Sequence, residues 1–107
     1  MKYHIISTHP DSVSSYLGSS LMARAQKEGH ISVSLYDVRD FTQDKHKKVD
    51  DKPYGGGPGM VLSIGPMVHA IEAALESSEK AYIVFFTPHG ELLSNTMAEE
   101  ILGEYTD

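Results

Sequence analysis

The run Pro53-Tyr54-Gly55-Gly56-Gly57-Pro58-Gly59-Met60 restricts the fold more than any other part of the chain. Four glycines and two prolines in eight residues exclude both a helix and a central strand. Glycine reaches backbone angles that other residues avoid, whereas proline fixes its own angle and removes an amide donor. Together they make a shaped loop with bare backbone, able to press closely against a planar or phosphorylated ligand. A flexible linker would be richer in serine and would lack buried-type residues such as Tyr54 and Met60.

At 107 residues the chain fits one small domain with a real core, and its 40% hydrophobic and 22% charged residues are those of an ordinary globular protein. It has no cysteine, which excludes disulfides and cysteine-based zinc sites and is compatible with a reducing, cytoplasmic setting. No apolar run approaches the roughly 20 residues that span a bilayer. The start, Met1-Lys2-Tyr3-His4-Ile5-Ile6, is too short and polar for a secretory signal and reads as a first strand. The net charge of −6 is unevenly placed, since five of the nine basic residues (Arg39, Lys45, Lys47, Lys48, Lys52) fall within residues 39–52. That stripe is available for a few phosphate contacts. The acidic residues Asp37, Asp40, Asp44, Asp50 and Asp51 offset it, so charge alone favours a solvated loop.

Periodicity predicts alternating strands and helices. Lys2 to Ser7 reads as a strand, and Asp11 as the cap of a helix carrying Val13, Tyr16 and Leu17 on one face. Gly18 breaks that helix, a second carries Leu21, Met22 and Ala25, and Gly29 stops it. Ile31-Ser32-Val33-Ser34-Leu35-Tyr36 alternates as a half-buried strand does. Residues 37–59 then lose all periodicity, and a stretch of roughly 20 such residues in a small domain points to function. Met60-Val61-Leu62 reads as a short buried strand or the approach to a helix that starts near Ser63 or Gly65, with Pro66 in its first turn. Ala81-Tyr82-Ile83-Val84-Phe85-Phe86 has the strongest strand signal, an apolar run suited to burial on both faces. Thr87-Pro88-His89-Gly90 turns away from it, residues 94–102 read as a helix with Met97, Ala98, Ile101 and Leu102 inward, and residues 104–107 resemble the lead into a further strand.

This order predicts an α/β fold with a mainly parallel sheet and flanking helices. Ligands bind such sheets beyond the strand C-termini, which places Thr8-His9-Pro10 and Thr87-Pro88-His89-Gly90 on the expected side. The six histidines include no pair at the i, i+4 spacing of a helical metal site, and each is read first as a solvated side chain. The glycine run is neither a P-loop nor a dinucleotide fingerprint, and no nucleophile elbow occurs. Asp50 and Asp51 are candidates for a base or a hard-cation site, against a plain role in turn capping. Taken one by one, these residues therefore point to an α/β ligand-binding domain and to no particular ligand.

The residues also carry a resemblance. Arg39-Asp40-Phe41-Thr42, Asp44-Lys45-His46 and Val49-Asp50-Asp51-Lys52-Pro53-Tyr54-Gly55-Gly56-Gly57-Pro58-Gly59-Met60 resemble the signature of bacterial tRNA (guanine-N1)-methyltransferases, the TrmD family. Ile5-Ile6-Ser7 with Pro10, and Phe85-Phe86-Thr87-Pro88-His89-Gly90, fit the same pattern in register. The resemblance implies the N-terminal part of an α/β-knot (SPOUT-type) catalytic domain, as a single incomplete domain over residues 1–107, with the knot segment absent from this chain. It implies methyl transfer from S-adenosylmethionine to the guanosine 3′ of the anticodon, in a cytoplasmic homodimer that binds tRNA without a membrane, with magnesium as an assisting ion.

By position, Phe85, Phe86, Thr87 and Pro88 match the segment lining the cofactor, and Gly57, Pro58 and Gly59 join them. Asp50, Tyr54, Gly55 and Gly56 match the neighbourhood of the target guanine, while Arg39, Lys45, His46 and Lys52 match residues that meet tRNA. No residue matches a metal ligand, and the proton-accepting aspartate is expected outside these residues. The expectation is therefore a chain that is inactive by itself. The alternative is a standalone, non-catalytic tRNA-binding or dimerisation module built on the same fold.

Overall fold

The computed structural model describes residues 1–78 and 80–105. Its elements are β1 (Lys2–Ser7), α1 (Asp11–Leu17), α2 (Ser20–Lys27), β2 (Ser32–Asp37), a 3₁₀ turn (Val38–Phe41), β3 (Asp50–Asp51), β4 (Val61–Leu62), α3 (Ile64–Leu75) and α4 (Asn95–Glu104). β1 and β2 pair in parallel from Lys2↔Ser32 to Ser7↔Asp37. β3 and β4 form a separate antiparallel pair through Asp50↔Leu62 and Asp51↔Val61.

The first half folds much as its pattern requires. Gly18 closes α1 by donating its N–H to the carbonyl of Ser14, and Gly29 ends the next helix at a φ of 78°. Asp11 is the first helical residue rather than the cap, which falls to Pro10. Alternation in the parallel pair puts Tyr3, Ile5, Val33 and Leu35 on one face, and His4, Ile6, Ser34 and Tyr36 on the other. α1 and α2 cover the first face, where Ser14, Leu17, Gly18 and Gln26 meet Val33 and Leu35 around a cavity of about 190 Å³. On the other face, the imidazole of His4 shares a hydrogen bond with the Tyr36 hydroxyl (3.2 Å) and lies 3.5 Å from Ser78 Oγ, just beyond α3. The sheet is thus sandwiched between helices, as the α/β pattern anticipates.

The deepest packing lies where α3 meets the 3₁₀ turn. Val38, Val49, Ala70 and Ala74 are the buried apolar side chains among the described residues. Small alanines at positions 70 and 74, one turn apart, let α3 approach the turn that carries Val38. Ser63 precedes α3 and Pro66 lies in its first turn, where a missing N–H leaves no bond unmade.

Two expectations are corrected. The mainly parallel sheet is small: a two-stranded parallel pair beside a two-stranded antiparallel one. Residues 81–86, with the strongest strand signal, form no strand and are largely exposed. A strand exists only through a hydrogen-bonding neighbour, and none of the described residues supplies one. Val61 and Leu62 do pair as a short strand but are not buried. Ser94 caps α4 by accepting the Met97 N–H at 3.2 Å; Met97, Ala98 and Ile101 are half-buried, and Leu102 is exposed. The lead into a further strand expected at residues 104–107 meets the end of α4 and Tyr105, and its remainder lies outside the described residues.

Candidate nucleotide-facing site

The aperiodic stretch 37–59 is organised by its own polar side chains. Asp37, at the end of β2, accepts the Arg39 N–H at 2.9 Å and so starts the 3₁₀ turn. Thr42 Oγ1 accepts the Asp44 N–H (3.2 Å) and donates to the Lys48 carbonyl (3.2 Å). The Asp44 carboxylate accepts two further amides, from His46 (2.9 Å) and Lys48 (3.0 Å). The Lys48 amide is the main reason the Asp44 carboxyl titrates below its ordinary value; slight burial opposes the shift, and the His46 amide and nearby positive charge add to it. Lys47 turns at a φ of 53° and reaches Asp40 with its ammonium at 3.0 Å.

This turn returns the chain to β3, and the glycine-rich run becomes a hairpin loop between β3 and β4. The narrow stem is reinforced by the Ser63 N–H on the Val49 carbonyl at 2.7 Å. Gly56 donates to the Pro53 carbonyl at 3.1 Å. Gly55, Gly56, Gly57 and Gly59 all have positive φ, and a side-chain carbon added at any of them meets nothing within 4 Å. Gly57, at 109°, lies where L-residues are strained. The glycines therefore serve backbone shape and open access rather than tight packing within this chain.

A cleft of about 140 Å³ opens beyond the C-terminal ends of β1 and β2, lined by Thr8, His9, Arg39, Lys47, Lys48, Val49, Asp50 and Leu62. Arg39 joins its two sides. One guanidinium nitrogen donates to the Thr8 carbonyl and lies 4.0 Å from Asp37; the other lies 3.3 Å from His9 Nε2. With an arginine donor on Nε2, His9 keeps its proton on Nδ1 and donates it to Thr8 Oγ1 at 2.9 Å. Asp50 sits in this cleft, half-buried, at the foot of the glycine-rich loop.

Of the residues singled out from sequence, the cleft brings Asp50 and Arg39 together. Arg39 is committed to holding β1, with about a third of its side chain exposed. Lys45, His46 and Lys52 lie on the exposed surface of the flanking turn and stem, outside the cleft lining. Tyr54, Gly55, Gly56, Gly57, Pro58 and Gly59 project into solvent, Tyr54 at 97% exposure. Phe85, Phe86, Thr87 and Pro88 are also exposed; the Gly90 N–H closes their turn on the Thr87 carbonyl at 3.2 Å. In the sequence Lys47 and Lys48 stand out only by their charge. Their place in the cleft follows from the Thr42 and Asp44 turn, and the spacing of those two residues is the signal that marks it. Among the described residues no group of three or more His, Asp or Glu side chains is placed to hold a metal ion. No described helix is long and apolar enough to cross a membrane.

The sequence profile of a family described as tRNA (Guanine-1)-methyltransferase TrmD matches residues 1–105. A tRNA (guanine-N(1)-)-methyltransferase of Thermomicrobium roseum is 38% identical over 102 residues, covering 94% of this chain and 38% of the relative. One from Idiomarina loihiensis is 40% identical over 100 residues, covering 92% of this chain and 40% of the relative. The crystal structure of tRNA (m1G37) methyltransferase from Aquifex aeolicus superposes with a TM-score of 0.85 at 30% identity, over 98% of this chain and 47% of that one. The chain spans less than half the length of these relatives. Matched over nearly all of its own residues, it belongs to the tRNA (guanine-1)-methyltransferase TrmD family.

Proposed function

We propose that this chain forms the base-facing wall of a tRNA (guanine-N1)-methyltransferase, acting in methyl transfer from S-adenosylmethionine to N1 of the guanosine 3′ of the anticodon. The observation that carries the reading is Asp50, half-buried in a cleft beyond parallel strand ends and at the foot of the glycine-rich loop. The Watson–Crick edge of guanine presents two adjacent donors, N1–H and the N2 amino group, and a carboxylate is the side chain that accepts from both. Asp50 in this role orients the base and is not the proton acceptor of the reaction. Lys45, His46 and Lys52, exposed on the flanking turn and stem, are suited to phosphates of the tRNA backbone.

S-adenosylmethionine supplies a methyl group on a positively charged sulfur. Phe85, Phe86, Thr87 and Pro88, with Gly57, Pro58 and Gly59, are the residues that would hold it. Exposed aromatic rings suit an adenine face, and glycine backbone with no side chain in the way suits close approach. These groups fit one side of a nucleoside ligand. Their exposure supports the further reading that the 107 residues alone do not enclose the cofactor and do not turn over. The proposal extends to the finer features of the resemblance: the N-terminal part of an α/β-knot domain whose knot segment these residues do not include, a cytoplasmic homodimer and assistance by magnesium.

The test replaces the matching part of the Thermomicrobium roseum relative with residues 1–105 of this chain and follows labelled methyl transfer to guanine N1 of tRNA. The chimera is expected to methylate, and its Asp50→Ala form to lose most activity while staying folded. A folded chimera without activity would overturn the proposal, as would micromolar binding of S-adenosylmethionine by the 107 residues alone for the claim of incompetence.

A further inference from the structure

A second cavity lies away from the cleft, between the α1–α2 pair and the sheet. Val33 and Leu35 of β2 form its floor, and Ser14, Leu17, Gly18 and Gln26 line the rest of its volume of about 190 Å³. Leu17 and Val33 are half-buried and Leu35 is 37% exposed, so the two helices leave part of this apolar face uncovered. The polar groups around it are few and one-sided. The Gln26 carboxamide nitrogen spends its hydrogens on the Leu17 carbonyl at 2.7 Å and the Met22 carbonyl at 3.2 Å. Ser14 Oγ donates its one hydrogen to the Asp11 carbonyl at 3.0 Å. The two side chains therefore bring free acceptors, Gln26 Oε1 and Ser14 Oγ, and no free donor. Neither oxygen is sealed from solvent, and neither accepts from a described residue.

We propose that this cavity is a binding site for a small uncharged ring compound that donates one hydrogen bond, phenol being its simplest form. Size argues for a single ring, since an apolar cavity of about 150 Å³ is enough to hold benzene. Leu17, Val33 and Leu35 offer aliphatic contact to the faces of such a ring. Water gains little in the same place, because an ordered water needs roughly two to four polar partners and this lining is largely aliphatic. Displacing a poorly held water with an apolar body favours the ligand.

The spent donors select the polar group of the ligand. A carbonyl or carboxylate brought to Gln26 and Ser14 meets another acceptor, whereas an O–H or N–H meets a free lone pair. A charged donor such as an ammonium gives up its hydration against an aliphatic wall, which favours a neutral one. The Gln26 carboxamide cannot turn over to present its nitrogen, because its oxygen would then face two carbonyls. Its acceptor is thus fixed before any ligand arrives, and little ordering is left for binding to supply. The proposal is independent of the catalytic reading, since none of the six lining residues lines the cleft that holds Asp50.

Titration of the isotope-labelled 107-residue chain with phenol, followed by amide and methyl resonances, tests it. The expected result is a saturable shift at Leu17, Gly18, Val33 and Leu35, with a dissociation constant of about 1–10 mM for so small a ligand. Anisole, the same ring with its hydroxyl hydrogen replaced by methyl, should bind about threefold to tenfold more weakly. Val33→Phe fills the cavity from its floor and should weaken phenol by about tenfold or more with an unchanged far-UV circular dichroism spectrum. Leu35→Phe, at a more exposed position on the same floor, provides the same test should Val33→Phe disturb folding. Shifts that never saturate, or that spare Leu17, Val33 and Leu35, overturn the proposal. So does phenol binding that survives both filling variants, and anisole binding as tightly as phenol overturns the assignment of a donor.

Discussion

Replacing Arg39 by lysine keeps the positive charge and removes the fork that ties the end of β1 to the 3₁₀ turn. Arginine reaches the Thr8 carbonyl with one nitrogen and His9 Nε2 with the other, whereas a lysine ammonium is a single point that serves one of them. A hydrogen bond from a charged donor contributes about 1.5–3 kcal/mol when well buried. With about a third of the arginine side chain exposed, the contribution falls toward the lower end, and loss of one of two contacts is expected to cost about 1 kcal/mol. For a chain of this size that corresponds to a fall in Tm of about 4–8 °C. Thermal unfolding by circular dichroism measures the shift. The Thr8 and His9 amide resonances are expected to move further than those of α4, which lies elsewhere in the fold. A Tm equal to the parent, or resonance shifts spread evenly over the chain, would show that the guanidinium merely rests on the surface.

Other substitutions address the remaining parts of the structure. Val38→Ala removes two methyl groups from a fully buried site against α3 and is expected to lower stability by about 2 kcal/mol, read as a fall in urea midpoint without a change in slope. Gly57→Ala forces a side chain onto a φ of 109°; it should reshape the loop and shift Tyr54 and Gly59 resonances while global stability falls by no more than about 1–3 kcal/mol. Ser94→Ala removes the cap of α4 and is expected to cost about 1 kcal/mol, seen as faster amide exchange in its first turn. The Asp44 carboxyl is depressed by the amides it accepts. Its contribution to the turn is therefore complete above the ordinary carboxylate range and is lost as pH falls through the lowered value. Asp44→Asn should abolish that acid-limb change in the His46 and Lys48 amide shifts; an unchanged acid limb would refute the assignment.

Local structure was legible wherever one residue decides it. Gly18 and Gly29 end helices, Ser63 and Ser94 precede them, and the alternation through Val33 and Leu35 marks a strand with two different faces. Of the candidate site, Asp50 and Arg39 could be singled out in one dimension and share the cleft, because they lie in a motif whose spacing stands out in the sequence. Two kinds of information were not legible. Pairing is a property of two segments, so the apolar signal of residues 81–86 could not report whether a neighbour is at hand. Side-chain caps within loops were also hidden. Thr42 and Asp44 fold a stretch without periodicity into a defined turn and carry Lys47 and Lys48 to the cleft. Arg39 likewise read as a free charge because the carbonyl it holds lies 31 residues earlier.

The register of the parallel pair bears on how quickly this chain finds its fold. Every partner in it lies 30 positions ahead, from Lys2 with Ser32 to Ser7 with Asp37. One ring closure therefore aligns the whole ladder, and each later rung forms without a further loop-closure penalty. α1 and α2 lie inside that ring and shorten it once formed, so the search is local by the standards of a parallel sheet. Collapse of the first 37 residues is thus expected as a single kinetic phase, ahead of the docking of α3 against the turn.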